Sequence, residues 1–276
     1  MTASKSVLII GKPASGKTTF LAQFLTRVAK GKSKVKLLSM PDNIKAISDA
    51  QKSLSSGEEP ATTQSDRNVE LNLSLDIDGN NVQLSCPDYG GEQISAHTEL
   101  MEIDKTWQKL VKGSDNWLLF IRASKISPEY DLSVTSYETI EKDKSDVQKE
   151  LVLSEQSSYI ELIQSLLYAK DVGVRQEREL PKLVVVITCW DELNNELTPK
   201  EVLIEKLPMF NNVIEAMWNR QKLSVLGLSA QEFPLKDDTE ATDKYLDDLP
   251  ENFGYMVTEE GNKDKDITCL IDWAIK

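Results

Sequence analysis

An apolar run, Val7-Leu8-Ile9-Ile10, leads straight into Gly11-Lys12-Pro13-Ala14-Ser15-Gly16-Lys17-Thr18 and then into an amphipathic segment. Strand, glycine loop and helix therefore arrive in the order a phosphate cradle requires, and the loop is a complete GxxxxGK[ST] motif. Its glycines let backbone N–H groups converge on phosphate oxygens without obstruction by Cβ, and the helix opening at Lys17 points its positive dipole end at the same anion. Lys17 is placed to reach the β- and γ-phosphates and the Thr18 hydroxyl to hold Mg²⁺. The loop and first helical turn, Gly11, Ala14, Ser15, Gly16, Lys17, Thr18 and Thr19, form the expected nucleotide-binding set.

A chain of 276 residues, 40% hydrophobic, can bury one substantial core, so the expectation is one domain over residues 1–276 carrying polar insertions at about 124–155 and 231–265. With 32 basic and 45 acidic residues the net charge is −13, and no basic face is visible that could bind nucleic acid. The longest apolar stretch, around Leu183 to Thr188, is far too short to cross a bilayer, and the first residues enter a strand directly. A cytoplasmic protein without membrane insertion is expected. Cys86, Cys189 and Cys269 are scattered without CxxC spacing, which favours buried thiols over disulfides or zinc. The one histidine, His97, leaves little room for imidazole catalysis and suits a surface or capping role.

Periodicity predicts a helix from Lys17 to about Lys30, a short strand at Val35 to Leu38, and a second helix capped by Asp42 that carries Ile44, Ile47, Ala50 and Leu54. Val69, Leu71, Leu73, Leu75 and Ile77 alternate, as do Val82, Leu84 and Cys86 after the turn at Asp78-Gly79, which predicts an antiparallel hairpin. Buried-type strands at Trp117 to Ile121, Leu183 to Ile187 and Leu223 to Leu228 alternate with helical patterns, the longest from about Ser158 to Lys170. The predicted fold is an α/β P-loop nucleotide-binding fold: a mostly parallel sheet with one antiparallel edge hairpin, helices on both faces, and surface insertions.

The second hairpin strand runs into Pro87-Asp88-Tyr89-Gly90-Gly91, placing a carboxylate at a strand end with glycine three positions on. Asp88 there can hold the Mg²⁺ shell through water, and the Gly91 N–H can approach a γ-phosphate. The next informative strand ends are Thr188-Cys189-Trp190-Asp191 and Ser229-Ala230-Gln231.

With these four motifs in order the chain resembles the Ras-like GTPases of the TRAFAC class, whose guanine-reading motif is [NT]KxD and whose second base loop is SAK or SAL. The resemblance implies that Asp191 accepts hydrogen bonds from guanine N1–H and the 2-amino group, that the Ala230 N–H faces O6, and that Thr188, Cys189, Ser229 and Gln231 complete the base site for GTP or GDP. The switch threonine then lies before the hairpin. Thr62 and Thr63 both suit this metal-side role, with Thr63 grouped with Lys17, Gly91, Glu92 and Gln93 as catalytic. The family lysine that stacks along the base is replaced by Cys189, and the glutamine after DxxG by Glu92, with Gln93 one place late. An acidic side chain beside the γ-phosphate orients water poorly and repels the anion, so slow hydrolysis is expected.

The inserted strand and helix before the hairpin, together with Pro87, Gly90-Gly91-Glu92 and the string Thr188-Cys189-Trp190-Asp191-Glu192-Leu193, are similar to bacterial double-GTPase domains of conflict and defence gene clusters. That resemblance implies a molecular switch read by an effector or regulator protein, with a second GTPase chain as a candidate partner. Two other readings remain open at this point: a nucleotide-loaded scaffold without turnover, and a P-loop kinase or ATPase.

Overall fold

The computed structural model describes residues 4–39, 43–60, 69–88, 105–126, 154–172, 180–193, 196–235 and 240–276, with backbone alone at 46, 69, 88, 240 and 241. In chain order the elements are β1 (Lys5–Gly11), α1 (Lys17–Ala29), β2 (Val35–Leu37), α2 (Lys45–Ser55), β3 (Val69–Ile77), β4 (Asn80–Asp88), α3 (Lys105–Gly113), β5 (Asn116–Arg122) and α4 (Glu155–Ala169). They continue with β6 (Lys182–Thr188), α5 (Pro199–Lys206), α6 (Pro208–Met217), β7 (Leu223–Ser229), α7 (Glu240–Asp247), β8 (Tyr255–Val257), β9 (Lys263–Asp264) and α8 (Cys269–Ile275).

The strands form one sheet in the order β2-β3-β4-β1-β5-β6-β7-β8-β9. Continuous apolar strands must be covered on both sides, and here alternate residues divide between two cores. Val7, Ile9, Leu118, Phe120, Val184 and Val186 pack with α1, α2 and α8, whereas Leu8, Ile10, Trp117, Leu119, Val185 and Ile187 pack with α3 to α6. Burying one such side chain fully stabilises the fold by roughly 1.5–3 kcal/mol. No helix among the described residues is long and apolar enough to cross a membrane.

The sheet is mixed, which corrects the expectation of a mostly parallel one. β4, β1, β5, β6 and β7 run parallel, but β2, β3, β8 and β9 join by antiparallel pairing. The hairpin is not an edge either: β4 pairs with β1, and β2 lies outside β3. Its turn behaves as its residues require, with Asp78 at φ +50° and Gly79 at φ +81°, the two left-handed positions of a type I′ turn.

The segment 231–265 departs from the surface insertion expected of it. It supplies β8, β9 and α7, and buries Leu235, Tyr245, Phe253, Met256 and Val257. Two helices also begin differently. Ile44 stands at the cap of α2 without a side-chain bond, and α4 starts a turn before Ser158 because the Ser154 hydroxyl accepts the Ser157 N–H at 3.2 Å. The cysteines are free as expected, but only Cys86 is buried; Cys189 and Cys269 are partly exposed. His97 and residues 127–153 lie outside the described residues.

Candidate functional site

Parallel strands end on the same side, so the sheet brings loops distant in sequence to one edge. Gly11 is level with Phe120, Arg122 with Thr188, and Thr188 with Leu228. The loop after β1, the turn after β6 and the loop after β7 thus share the carboxyl edge. Asp88 stands three residues past Ser85, the last β4 residue paired to β1, just as Gly11 stands three past that residue's partner Leu8. Its backbone therefore reaches the same edge.

The loop after β1 is built so that side chains stay out. Gly16, at φ +83°, caps α1 in a left-handed conformation that carries little strain only for glycine. A Cβ on Gly11 would stand 2.6 Å from Ser15 Oγ and 3.0 Å from Phe120 atoms, so this position admits no side chain. Lys17 is buried at 7% exposure and its ammonium donates to the carbonyls of Gly11 at 2.8 Å and Lys12 at 3.0 Å. Ser15 Oγ is buried with no hydrogen-bond partner among the described residues. A buried hydroxyl left unpaired costs free energy. A tight loop, a helix N-terminus and a desolvated ammonium together suit a phosphate anion. Thr18 and Thr19 follow, half-buried on the first turn of α1.

The turn after β6 meets this loop closely. A Cβ on Gly16 would lie 3.8 Å from Thr188 Cβ and 3.9 Å from Cys189 Sγ. Cys189 takes a left-handed conformation, φ +49°, which bends the chain sharply out of β6 into the short 3₁₀ turn Trp190–Glu192. Trp190 is buried against Gly227 of β7, and Asp191 is thereby aimed at the end of β7, where Ser229 Oγ donates to Asp191 Oδ1 at 2.5 Å. Ser229 is fully buried and its hydroxyl also accepts the Glu232 N–H at 2.9 Å. Burial pushes the Asp191 carboxyl above its usual range, opposed by the Ser229 bond. Burial likewise raises the Cys189 thiol, to about 12, so it carries no charge at neutral pH. Ala230 and Gln231 are half-buried just beyond.

Two ionic contacts at this edge were not singled out by motif. Arg122, the last residue of β5, donates from Nε to Glu192 Oε2 at 3.0 Å and from its Nη2 to Glu192 Oε1, while Nη1 reaches the Ala14 carbonyl at 3.4 Å. The Ser124 hydroxyl also donates to Glu192. Burial pushes Glu192 up, but the Arg122 and Ser124 bonds outweigh it and hold the carboxyl below its usual range. On the other flank Lys12 pairs with Glu155 at 2.7 Å and sits 4.4 Å above the Tyr159 ring, tying the phosphate loop to α4. The signals available were a charged residue closing an apolar strand and an acid directly after Asp191.

Thr62, Thr63, Gly91, Glu92 and Gln93 lie outside the described residues, as does the Asp88 side chain. Among the described residues no cluster of three His, Cys, Asp or Glu forms a metal site. Of the expected Mg²⁺ set, only Thr18 is described with its side chain.

A model of the Double-GTPase 1 family matches residues 8–274. No curated protein sequence matches the chain. Among solved structures, the Ski7 GTPase-like domain of S. cerevisiae, bound to GDP and inorganic phosphate, superposes with a TM-score of 0.47 at 13% identity, over 82% of this chain and 43% of that one. The bacterial selenocysteine-specific elongation factor EF-Sec gives 0.41 at 13% identity, over 90% of this chain and 29% of that one. The chain thus spans less than half the length of either.

Proposed function

The chain belongs to the Double-GTPase 1 family, and from that premise we propose that it is a cytoplasmic GTP-binding switch that hydrolyses GTP slowly with Mg²⁺ and signals to a partner protein. The reading takes residues 1–276 as one GTPase domain and places the switch in bacterial conflict or phage defence, with a second GTPase chain as a candidate partner. The observation that supports GTP binding best is the convergence at the carboxyl edge, where Gly16 of the phosphate loop lies against Thr188 and Cys189 of the base turn. One nucleotide can then be held at both ends.

In this reading the Lys17 ammonium neutralises the β- and γ-phosphates, and the Thr18 hydroxyl with the Asp88 carboxylate holds the Mg²⁺ shell. Ionised Asp191 accepts from guanine N1–H and the 2-amino group. Adenine, with an acceptor at N1 and no amino group at C2, leaves that half-buried carboxylate unpaired, a cost that favours guanine. Thr62 or Thr63 and the Gly91 N–H sense the γ-phosphate, so hydrolysis releases both segments and changes the surface a partner meets. Glu92 in place of a water-orienting glutamine slows the chemical step.

Turnover of purified protein with GTP and ATP, beside calorimetric affinities of wild type and Lys17→Ala, tests the proposal. GTP hydrolysis with loss of GTP binding in the variant is expected. Unchanged GTP affinity in Lys17→Ala would refute the phosphate-loop assignment, and turnover of ATP alone would favour a kinase or ATPase.

A further inference from the structure

The turn after β6 offers no cation of its own: position 189 is an uncharged thiol and the two residues after Trp190 are acids. The cation comes from the neighbouring strand. Arg122 is paired in register with Thr188, so its side chain leaves the sheet beside the turn. The guanidinium is engaged along its edges. Nε and Nη2 grip both oxygens of Glu192, the residue after Asp191, and Nη1 reaches Ala14 in the phosphate loop. A planar cation held along its edge by these three bonds leaves its faces for contact, and the Arg122 side chain keeps 25% of its surface exposed. Guanidinium faces stack on aromatic rings.

We propose that Arg122 is the base-facing cation of the nucleotide pocket: fixed edge-on between Glu192 and Ala14, it lays its plane against the purine and locks the base turn to the phosphate loop. This rests on the nucleotide-binding reading above. The division of labour follows from chemistry. A stacked cation attracts any purine, whereas hydrogen bonds to Asp191 select guanine, so Arg122 contributes affinity and Asp191 contributes choice. Lysine is a poor replacement at this position, because an ammonium lacks the fork that grips both oxygens of Glu192 and so would not be held edge-on beside the turn.

The test measures affinities for GDP, GTP, ADP and inorganic tripolyphosphate in wild type, Arg122→Ala, Arg122→Lys and Glu192→Gln, beside steady-state GTP turnover. Arg122→Ala is expected to weaken GDP and GTP equally, by roughly tenfold or more. The GDP-over-ADP ratio and tripolyphosphate affinity should stay unchanged. Arg122→Lys should recover little of the loss, and Glu192→Gln should show a smaller loss of the same kind. If Arg122→Ala does not fold, the last two variants decide by the same pattern. Wild-type GDP affinity in all folded variants would overturn the role of Arg122 while leaving the nucleotide site intact. Retained affinity with a collapse of turnover would overturn it too, since the arginine would then act on phosphoryl transfer. Wild-type binding of tripolyphosphate without any nucleoside diphosphate would overturn the parent reading and this one together.

Discussion

Replacing Gly227 by alanine tests how the base turn is held. Gly227 sits inside β7 opposite Ile187 of β6 and Val257 of β8. A Cβ there would meet Trp190 Cε3 at 2.6 Å, Trp190 Cδ2 at 2.9 Å and Val257 Cβ at 2.9 Å, where ordinary contact begins at 3.4 Å. The indole must therefore retreat by roughly 0.8 Å, and at 6% exposure it has no free space to enter. Two effects oppose each other. Gly→Ala in a strand interior gains about 0.5–1 kcal/mol from reduced freedom of the unfolded chain, while overpacking a dense core costs about 1–3 kcal/mol.

Overpacking wins, and Gly227→Ala should lower stability by about 1–2 kcal/mol in urea unfolding with an unchanged denaturant slope. Because Trp190 directly precedes Asp191, its displacement moves the carboxylate from Ser229 and weakens GDP binding measured by calorimetry. Trp190→Leu made in the Gly227→Ala background should recover part of the lost stability, a non-additivity diagnostic of direct contact. An unfolding midpoint and a GDP affinity both equal to wild type in Gly227→Ala would refute this packing account.

Asp191→Asn should shift preference from GTP toward XTP, because the amide presents a donor where xanthine has a second carbonyl; an unchanged ratio in competition binding removes Asp191 from the base site. The pH dependence has a definite sign. In the proposed site only ionised Asp191 accepts from guanine, and burial raises its pKa above the ordinary 3.8, so GDP affinity should begin to fall on acidification while an exposed aspartate is still fully ionised. The same raised pKa makes the folded protein without nucleotide take up this proton more readily than the unfolded chain, so this group favours that fold as pH drops. Calorimetry between about pH 7.5 and pH 5 reads the effect, and an affinity flat over that range denies it. Glu92→Gln should raise the basal GTP hydrolysis rate, since a neutral amide can orient water without opposing charge build-up. If Glu92→Ala loses most of a robust wild-type rate with affinity retained, Glu92 is a general base instead.

What could be read from the sequence is what chemistry pins to fixed offsets. The loop from Gly11 to Thr18 and the turn from Thr188 to Asp191 follow apolar strands, and the strands carry both to one edge. Alternation at Leu71, Leu73 and Leu75 marks half-buried strands, yet it does not name the neighbours, so it cannot place the hairpin inside the sheet, between β2 and β1. β8 and β9 span three and two residues, too short for any period to register. Gly227 looks like an ordinary strand residue until Trp190 is seen against it. The Arg122–Glu192 pair spans 70 positions, and no local pattern couples charges that far apart.

The segment 231–265 shows why a polar stretch can still belong to the site. Arg27, near the end of α1 and only 4% exposed, donates to the carbonyls of Phe253 at 2.8 Å and Lys265 at 2.5 Å. One turn earlier Gln23 donates to Tyr245 Oη at 3.0 Å and to the Pro250 carbonyl at 2.9 Å. The same segment closes on the base loop: β8 pairs Tyr255 with Ser229, and Gly254, at φ +100°, passes so near Ala230 that a Cβ would lie 2.5 Å from its carbonyl oxygen. One strip of chain is therefore bonded to the helix whose N-terminus forms the phosphate loop and packed against the loop that follows β7. Its backbone carbonyls, together with the Tyr245 hydroxyl, accept from buried donors on α1 that would otherwise be left unpaired at substantial cost. In the proposed nucleotide site the distance between the phosphate end and the base end is thus set by this strip as well as by the sheet, and loosening it at Gly254 or Arg27 would relax both ends at once.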